Sequence, residues 1–188
     1  KSIEVEGLSH HGAPIPTGTA IPMPPQSGAA CDLCDTVPDK FSTTTDINGR
    51  FTLTNVPTGQ NIPLIVRVGK WRRVITVSNV SDCTTTTLSI DETRLPRNQG
   101  EGNIPRIALS TGNADALECI LRKKKLGLDD SEFTLENKNG RVNLYAGVDG
   151  ATKYSAALGG GIFTAAQPLP SKSWWDDYAN WAKYDIVM

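Results

Sequence analysis

The stretch "IVRVGKWRRVITV", residues 65–77, decides how the chain is read. It is apolar enough for a sheet, yet it gathers three arginines, a lysine and a tryptophan around one glycine. A two-residue turn at Gly69-Lys70 makes it a β-hairpin. That turn pairs Val68 with Trp71, Val66 with Arg73 and Leu64 with Ile75 on one face. Ile65 with Val74, and Arg67 with Arg72, then fall on the other face. Like charges directly opposite each other destabilise a sheet. Arg67 and Arg72 therefore call for an anion, expected to be a carboxylate of the same chain. Trp71, beside the turn, is expected to cap the core. A weaker reading makes Arg67, Arg72 and Trp71 an anion or glycan site.

Turn residues recur on both sides of the hairpin. Upstream, "STTTD" and "RFTLTNV" alternate about the turn Asp46-Ile47-Asn48-Gly49, and "VPTGQ" forms a second turn. Further upstream, "GAPIPTGTAIPMPPQSGAA" is too rich in proline and glycine for a helix or a central strand, and suits a loop or an edge strand. Short strands with frequent turns predict a β-sandwich over residues 1–97.

From residue 98 the pattern changes. "NIPRIALSTG" reads as a strand, Ile104 to Ser110, and "NADALECILRKKKLGL" as a helix with Leu117, Ile120 and Leu121 on its apolar face. Asp115 and Glu118 lie early in it and Arg122 to Lys125 late, as the helix dipole prefers, and Gly127 ends it. "GRVNLYAG" is a second strand, and the glycine-rich "AALGGGIFTAAQPLP" a loop. "SWWDDYANWA" is a helix with Trp174, Tyr178 and Trp181 on one face, and "KYDIVM" a third strand. The order β-α-β-α-β predicts a parallel, three-layer, Rossmann-like α/β sheet over residues 98–188. Because the last strand has no exit, the sheet is expected to be truncated, with the natural chain running past Met188. Lys1 at the start, without a methionine or a signal segment, suggests a trimmed mature chain.

Composition narrows the function. The net charge of −1 gives no global field for nucleic acid. No apolar run approaches the roughly 20 residues of a membrane span. The cysteines are Cys31, Cys34, Cys83 and Cys119. "CDLC" lies in irregular sequence without a second ligand pair, and His10-His11 do not have finger spacing, so neither a metal nor a redox site is expected. A disulfide pinning the long loop, with Cys83 as a candidate partner, is the favoured reading, and it implies an extracytoplasmic location. Asn79-Val80-Ser81 matches a glycosylation triplet, of a kind that arises often by chance.

Three segments together, "TTTDINGRFTLTNVPTGQNIPLIVRVGKWRRVITV", "TRLPRNQGEGNIPRIALSTGNADALECILRKKKLGLDDSEFT" and "RVNLYAG" with "KYDIVM", resemble secreted proteins of myxobacteria and their relatives. These are labelled carboxypeptidase regulatory-like domain-containing proteins. The resemblance covers roughly residues 40–188 and implies a transthyretin-like sandwich, an α/β second domain and export to the cell envelope. It also implies a Cys-Glu segment after the last strand, whose cysteine would partner Cys119. It carries no established activity.

No nucleophile elbow, phosphate loop, zinc-protease or dinucleotide motif occurs. Backbone N–H groups after a parallel strand make Ser110, Thr111, Gly112 and Asn113 the nominated ligand residues, against plain helix capping by Thr111 or Asn113. Asp176 and Asp177 beside Trp174 and Trp175 are read as a solvated pair. The sequence therefore predicts an extracellular or cell-surface structural or binding protein, without cofactor or metal, that meets a protein partner or assembles with itself. The alternative is the front part of an α/β hydrolase- or amidotransferase-like enzyme whose nucleophile follows Met188.

Overall fold

The computed structural model describes residues 2–5, 12–14, 41–113, 117–123, 127–162, 164–165 and 174–188. Cys31, Cys34, His10, His11, Asp115, Lys124 and Lys125 lie outside these. The described chain is mostly β, with open sheets and a few short helices. None of the helices is long and apolar enough to cross a membrane. The chain divides into two compact units. One comprises residues 1–25, 32–96 and 101–103, the other 26–31, 97–100 and 104–188.

The first unit carries two sheets. One has the order β3-β1-β6, from Ser2–Val5 (β1), Phe51–Thr54 (β3) and Thr85–Leu88 (β6). The other has the order β2-β4-β5-β7, from Gly12–Pro14 (β2), Gly59–Val68 (β4), Trp71–Val80 (β5) and Gly102–Asn103 (β7). One apolar cluster draws on both sheets. Phe51, Leu53 and Leu88 come from the first, and Ile62, Leu64, Val66, Val77 and Val80 from the second, with Val56 between. β2 is an edge strand, where Pro14 is tolerated because no neighbour needs its missing N–H.

The hairpin register agrees pair for pair with the sequence reading, from Leu64↔Ile75 to Val68↔Trp71, with Arg67 opposite Arg72. Gly69 has φ +53°, the place a type II′ turn reserves for glycine. Upstream the segment before the Asp46 turn is not a strand; only a bridge at Thr43 remains of it. The turn itself forms as expected. The Asp46 carboxylate accepts from the N–H groups of Asn48 (2.8 Å) and Arg50 (2.9 Å), and Gly49 takes φ +77°.

The second unit holds a four-stranded, all-parallel sheet of order β10-β9-β8-β11. Its strands are Ile107–Ser110 (β8), Val142–Ala146 (β9), Thr164–Ala165 (β10) and Ile186–Val187 (β11). β8 begins three residues later than expected, since Pro105 has no N–H to donate to a ladder. β10 arises inside the segment read as a glycine-rich loop.

The helices differ most from expectation. α1 (Ile90–Thr93) was not foreseen, although Ser89 and Glu92 spell a capping box and each accepts from the other's backbone N–H. α2 spans only Leu117–Leu121 within the described residues and buries none of its side chains; Ile120 is 66% exposed. The expected apolar face of Leu117, Ile120 and Leu121 is therefore not a core face. The tryptophan-rich segment is not one helix but a 3-10 turn, Trp174–Asp176, followed by α3 (Tyr178–Trp181). Asp177 separates them in extended conformation, its carboxylate accepting from Ala179 N–H at 3.0 Å. The break turns Tyr178 away from the core that Trp174 enters, leaving Tyr178 exposed.

Candidate functional site

Ligands of open parallel sheets gather beyond the carboxyl ends of the strands. Here those ends are Ser110, Ala146, Ala165 and Val187, and the turn after β8 carries the nominated Ser110 to Asn113. Thr111 is buried and fully engaged. Its N–H donates to the Tyr145 carbonyl at 2.9 Å, and its hydroxyl lies 2.7 Å from the Ala151 carbonyl and 3.2 Å from that of Tyr145. A hydroxyl has one proton, and the shorter contact directs it to Ala151. The same oxygen accepts from Gly147 N–H at 3.3 Å. Thr111 therefore ties the end of β8 to the loop after β9. Gly147 and Gly150 complete the tie, because a Cβ at either would overlap the Thr111 carbonyl. Ser110 N–H is occupied by Met188 O at 2.8 Å. Only Gly112 and Asn113 of the nominated residues face solvent.

Beneath these strand ends lies a polar and aromatic cluster that periodicity does not reveal. Tyr184 OH donates to Asn143 Oδ1 at 2.9 Å, while Asn143 Nδ2 donates to the Thr134 carbonyl at 2.9 Å. With its proton committed, Tyr184 OH must accept from Tyr145 OH, 2.6 Å away. Trp174 packs on Tyr145 with ring centroids 4.2 Å apart. Burial, first of all, raises the pKa of Tyr145, Tyr154 and Tyr184; Tyr154 is pushed up to about 12. These phenols stay neutral at ordinary pH and act as donors, not bases. Arg106 sits over the Tyr184 ring at 5.0 Å, and Lys183 pairs with Glu136. Burial, ahead of the charge on Arg106, lowers the Lys183 pKa.

A second feature of this unit is an open depression of about 550 Å³ lined by Arg97, Cys119, Arg122, Leu128, Asp129 and Asp130. Its charges are neutralised in pairs, Arg97 with Asp129 at 3.1 Å and Arg122 with Asp130 at 2.7 Å. Cys119 and Cys83 are both exposed, free thiols, and the expected partners of Cys83, Cys31 and Cys34, lie outside the described residues. The same unit buries the Glu132 carboxylate, which accepts from Gln99 N–H (2.8 Å), Gln99 Nε2 (2.9 Å) and Arg141 N–H (3.2 Å). Glu132 thereby holds the segment 97–100.

In the first unit, Arg72 is buried, and its pKa is lowered by that burial and then by the facing charge of Arg67. Trp71 is half-buried, and its indole N–H donates to the Pro96 carbonyl at 2.9 Å. That bond fits a latch on the 91–96 segment better than a sugar platform. Arg73 adds to the latch with bonds to the Asp91 and Arg94 carbonyls, and Arg94 grips Glu101 through both nitrogens at 2.6 Å. Among the described residues no group of three or more His, Cys, Asp or Glu side chains is placed to hold a metal. No protein-family model matches the chain, and no curated protein or solved structure is detectably similar to it.

Proposed function

We propose that the chain is an extracytoplasmic structural or binding protein that works by associating with a protein partner or with further copies of itself. It pairs a carboxypeptidase regulatory-like β-sandwich with a Rossmann-like parallel sheet. The shared core of the two sheets of the first unit supports the sandwich. So does the fit of the "D-x-x-G-x-F-x-L-x-x-V-P" pattern, in which Asp46 and Gly49 make the turn while Phe51, Leu53 and Val56 enter the core. The resemblance of residues 40–188 to secreted regulatory-like proteins supports export to the cell envelope.

The observation that carries the associating role is the edge of the parallel sheet. Among the described residues β11 has a neighbour on one side, β8, and Ile186 is exposed at that edge. An apolar sheet edge with outward backbone groups is a template for pairing with another chain. By contrast, Thr111 and Trp71 spend their polar groups on internal bonds.

Sedimentation velocity over a range of concentrations tests this reading. Wild-type protein is expected to associate reversibly, and Ile186→Lys to stay monomeric with an unchanged far-ultraviolet spectrum. A wild-type chain that remains monomeric throughout overturns self-association. Fractionation of the source cells tests location, and recovery from the cytoplasm alone overturns it.

A further inference from the structure

We propose that Tyr178 is a site of oxidative coupling, through which two copies of the chain are joined by a dityrosine bond. The inference deepens the associating role above and rests on it. The chain has four tyrosines, and all four are described. Tyr145, Tyr154 and Tyr184 are buried, and their hydroxyls are bonded to one another, to Asn143 or to the Thr134 carbonyl. Tyr178 is 59% exposed. It is the one phenol whose ring carbons a second protein can reach.

What lies behind Tyr178 sets it apart from an ordinary surface tyrosine. Its ring meets Trp181 edge-on, with centroids 4.6 Å apart. Trp181 donates its indole N–H to the Trp175 carbonyl at 3.3 Å, Trp175 meets Trp174 at 4.9 Å, and Trp174 meets Tyr145 at 4.2 Å. Trp175 and Trp181 pack against the buried cluster of Tyr145, Trp174 and Tyr184. Tryptophan and tyrosine are, with cysteine, the side chains most easily oxidised by one electron. A row of them in contact passes an electron vacancy outward until it meets a phenol that can lose its proton to water. Tyr178 is that phenol. Asp176 and Asp177 precede it in the chain, and Asp177 turns its carboxylate back to Ala179 N–H.

The reaction balances with a one-electron oxidant of the peroxide- or metal-derived class. Each Tyr178 loses one electron to the oxidant and its phenolic proton to water. The two radicals join through their ortho carbons, and the displaced ring hydrogens return to the oxygens as both rings regain aromaticity.

The test uses the whole chain with its thiols alkylated, irradiated with tris(bipyridyl)ruthenium and persulfate. The expected product is a covalent dimer that survives reduction and shows dityrosine fluorescence. Tyr178→Phe, folded as judged by circular dichroism, is expected to lose both and to gather oxidation on Trp175 and Trp181 in peptide mass maps. A dimer persisting at wild-type yield in Tyr178→Phe, or no dityrosine in the wild type, overturns the site. Unchanged oxidation of Trp175 and Trp181 overturns the role of the aromatic row. Sedimentation of the same samples before irradiation separates the two ideas. Coupling without prior association overturns self-association and leaves the site standing, whereas association without coupling overturns the site alone.

Discussion

Thr111 and Gly147 meet where β8 and β9 end: the Gly147 N–H donates to the Thr111 hydroxyl, and the Thr111 carbonyl fills the space a Cβ at Gly147 would need. The two residues hold the carboxyl end of the parallel sheet together, at the place where such sheets usually bind ligands. Thr111, within the turn read from sequence as a ligand loop, is thus a structural joint.

Thr111→Val is expected to keep the shape and lose the hydroxyl. The Ala151 carbonyl and Gly147 N–H then lack a buried partner, at a cost of about 1–3 kcal/mol in urea unfolding. Thr111→Ser, which keeps the hydroxyl, should recover most of the loss. Equal losses in the two variants would mean that methyl packing, not the hydrogen bond, matters at this joint.

Gly147→Ala tests the same joint from the other side. The added methyl overlaps backbone, which cannot swing aside as a flexible side chain would. A loss of about 1–3 kcal/mol is expected. Gly112→Ala, where a Cβ meets open space, is the control and should be nearly silent. A silent Gly147→Ala would show that β8 and β9 are not tied there.

Glu132→Gln replaces one carboxylate oxygen by an amide that donates. The buried carboxylate accepts three N–H bonds, two of them from Gln99, so one donor is left facing another. Amide hydrogen exchange at Gln99 and Arg141 is expected to quicken. A loss of about 1.5–3 kcal/mol should accompany it, the range for bonds to a charged group. Unchanged exchange at Gln99 would mean that Arg97 and Asn98, through Asp129, hold the segment without Glu132.

The alkaline limit of stability follows from the phenols. Burial raises the pKa of Tyr145, Tyr154 and Tyr184, with Tyr154 pushed up to about 12. An acid whose pKa is higher folded than unfolded binds its proton more tightly in the native state. Its contribution is complete below the unfolded phenol value of about 10 and is lost as pH rises toward 12. Spectrophotometric titration should find Tyr145, Tyr154 and Tyr184 ionising late and together with unfolding. Ionisation of these three before any loss of structure would contradict the buried hydroxyl network.

Local chemistry was legible in the sequence wherever one turn governs its neighbours. Gly69-Lys70 dictates the pairing of both ten-residue strands, because a two-residue turn admits one register and a one-residue slip would expose Leu64 and Val66. Asp46 and Gly49 specify their turn by side-chain bonding and positive φ, and the parallel third strand could be read from its apolar run. The α2 face could not be judged in the same way. Leu117, Ile120 and Leu121 have helical spacing, but spacing does not say whether another element covers them, and none does so fully.

The sequence by itself determined the two hairpin strands, their register and the turn residues, since these depend on neighbours a few positions away. Only the tertiary structure decided which polar groups remain available. Thr111 meets Ala151 across 40 residues, Trp71 meets Pro96 across 25, and Tyr184 meets Asn143 across 41. Bonds of that range depend on how strands stack, and they make Thr111 and Trp71 joints of the fold. They leave Tyr178, placed by its spacing on one face with Trp174 and Trp181, facing water.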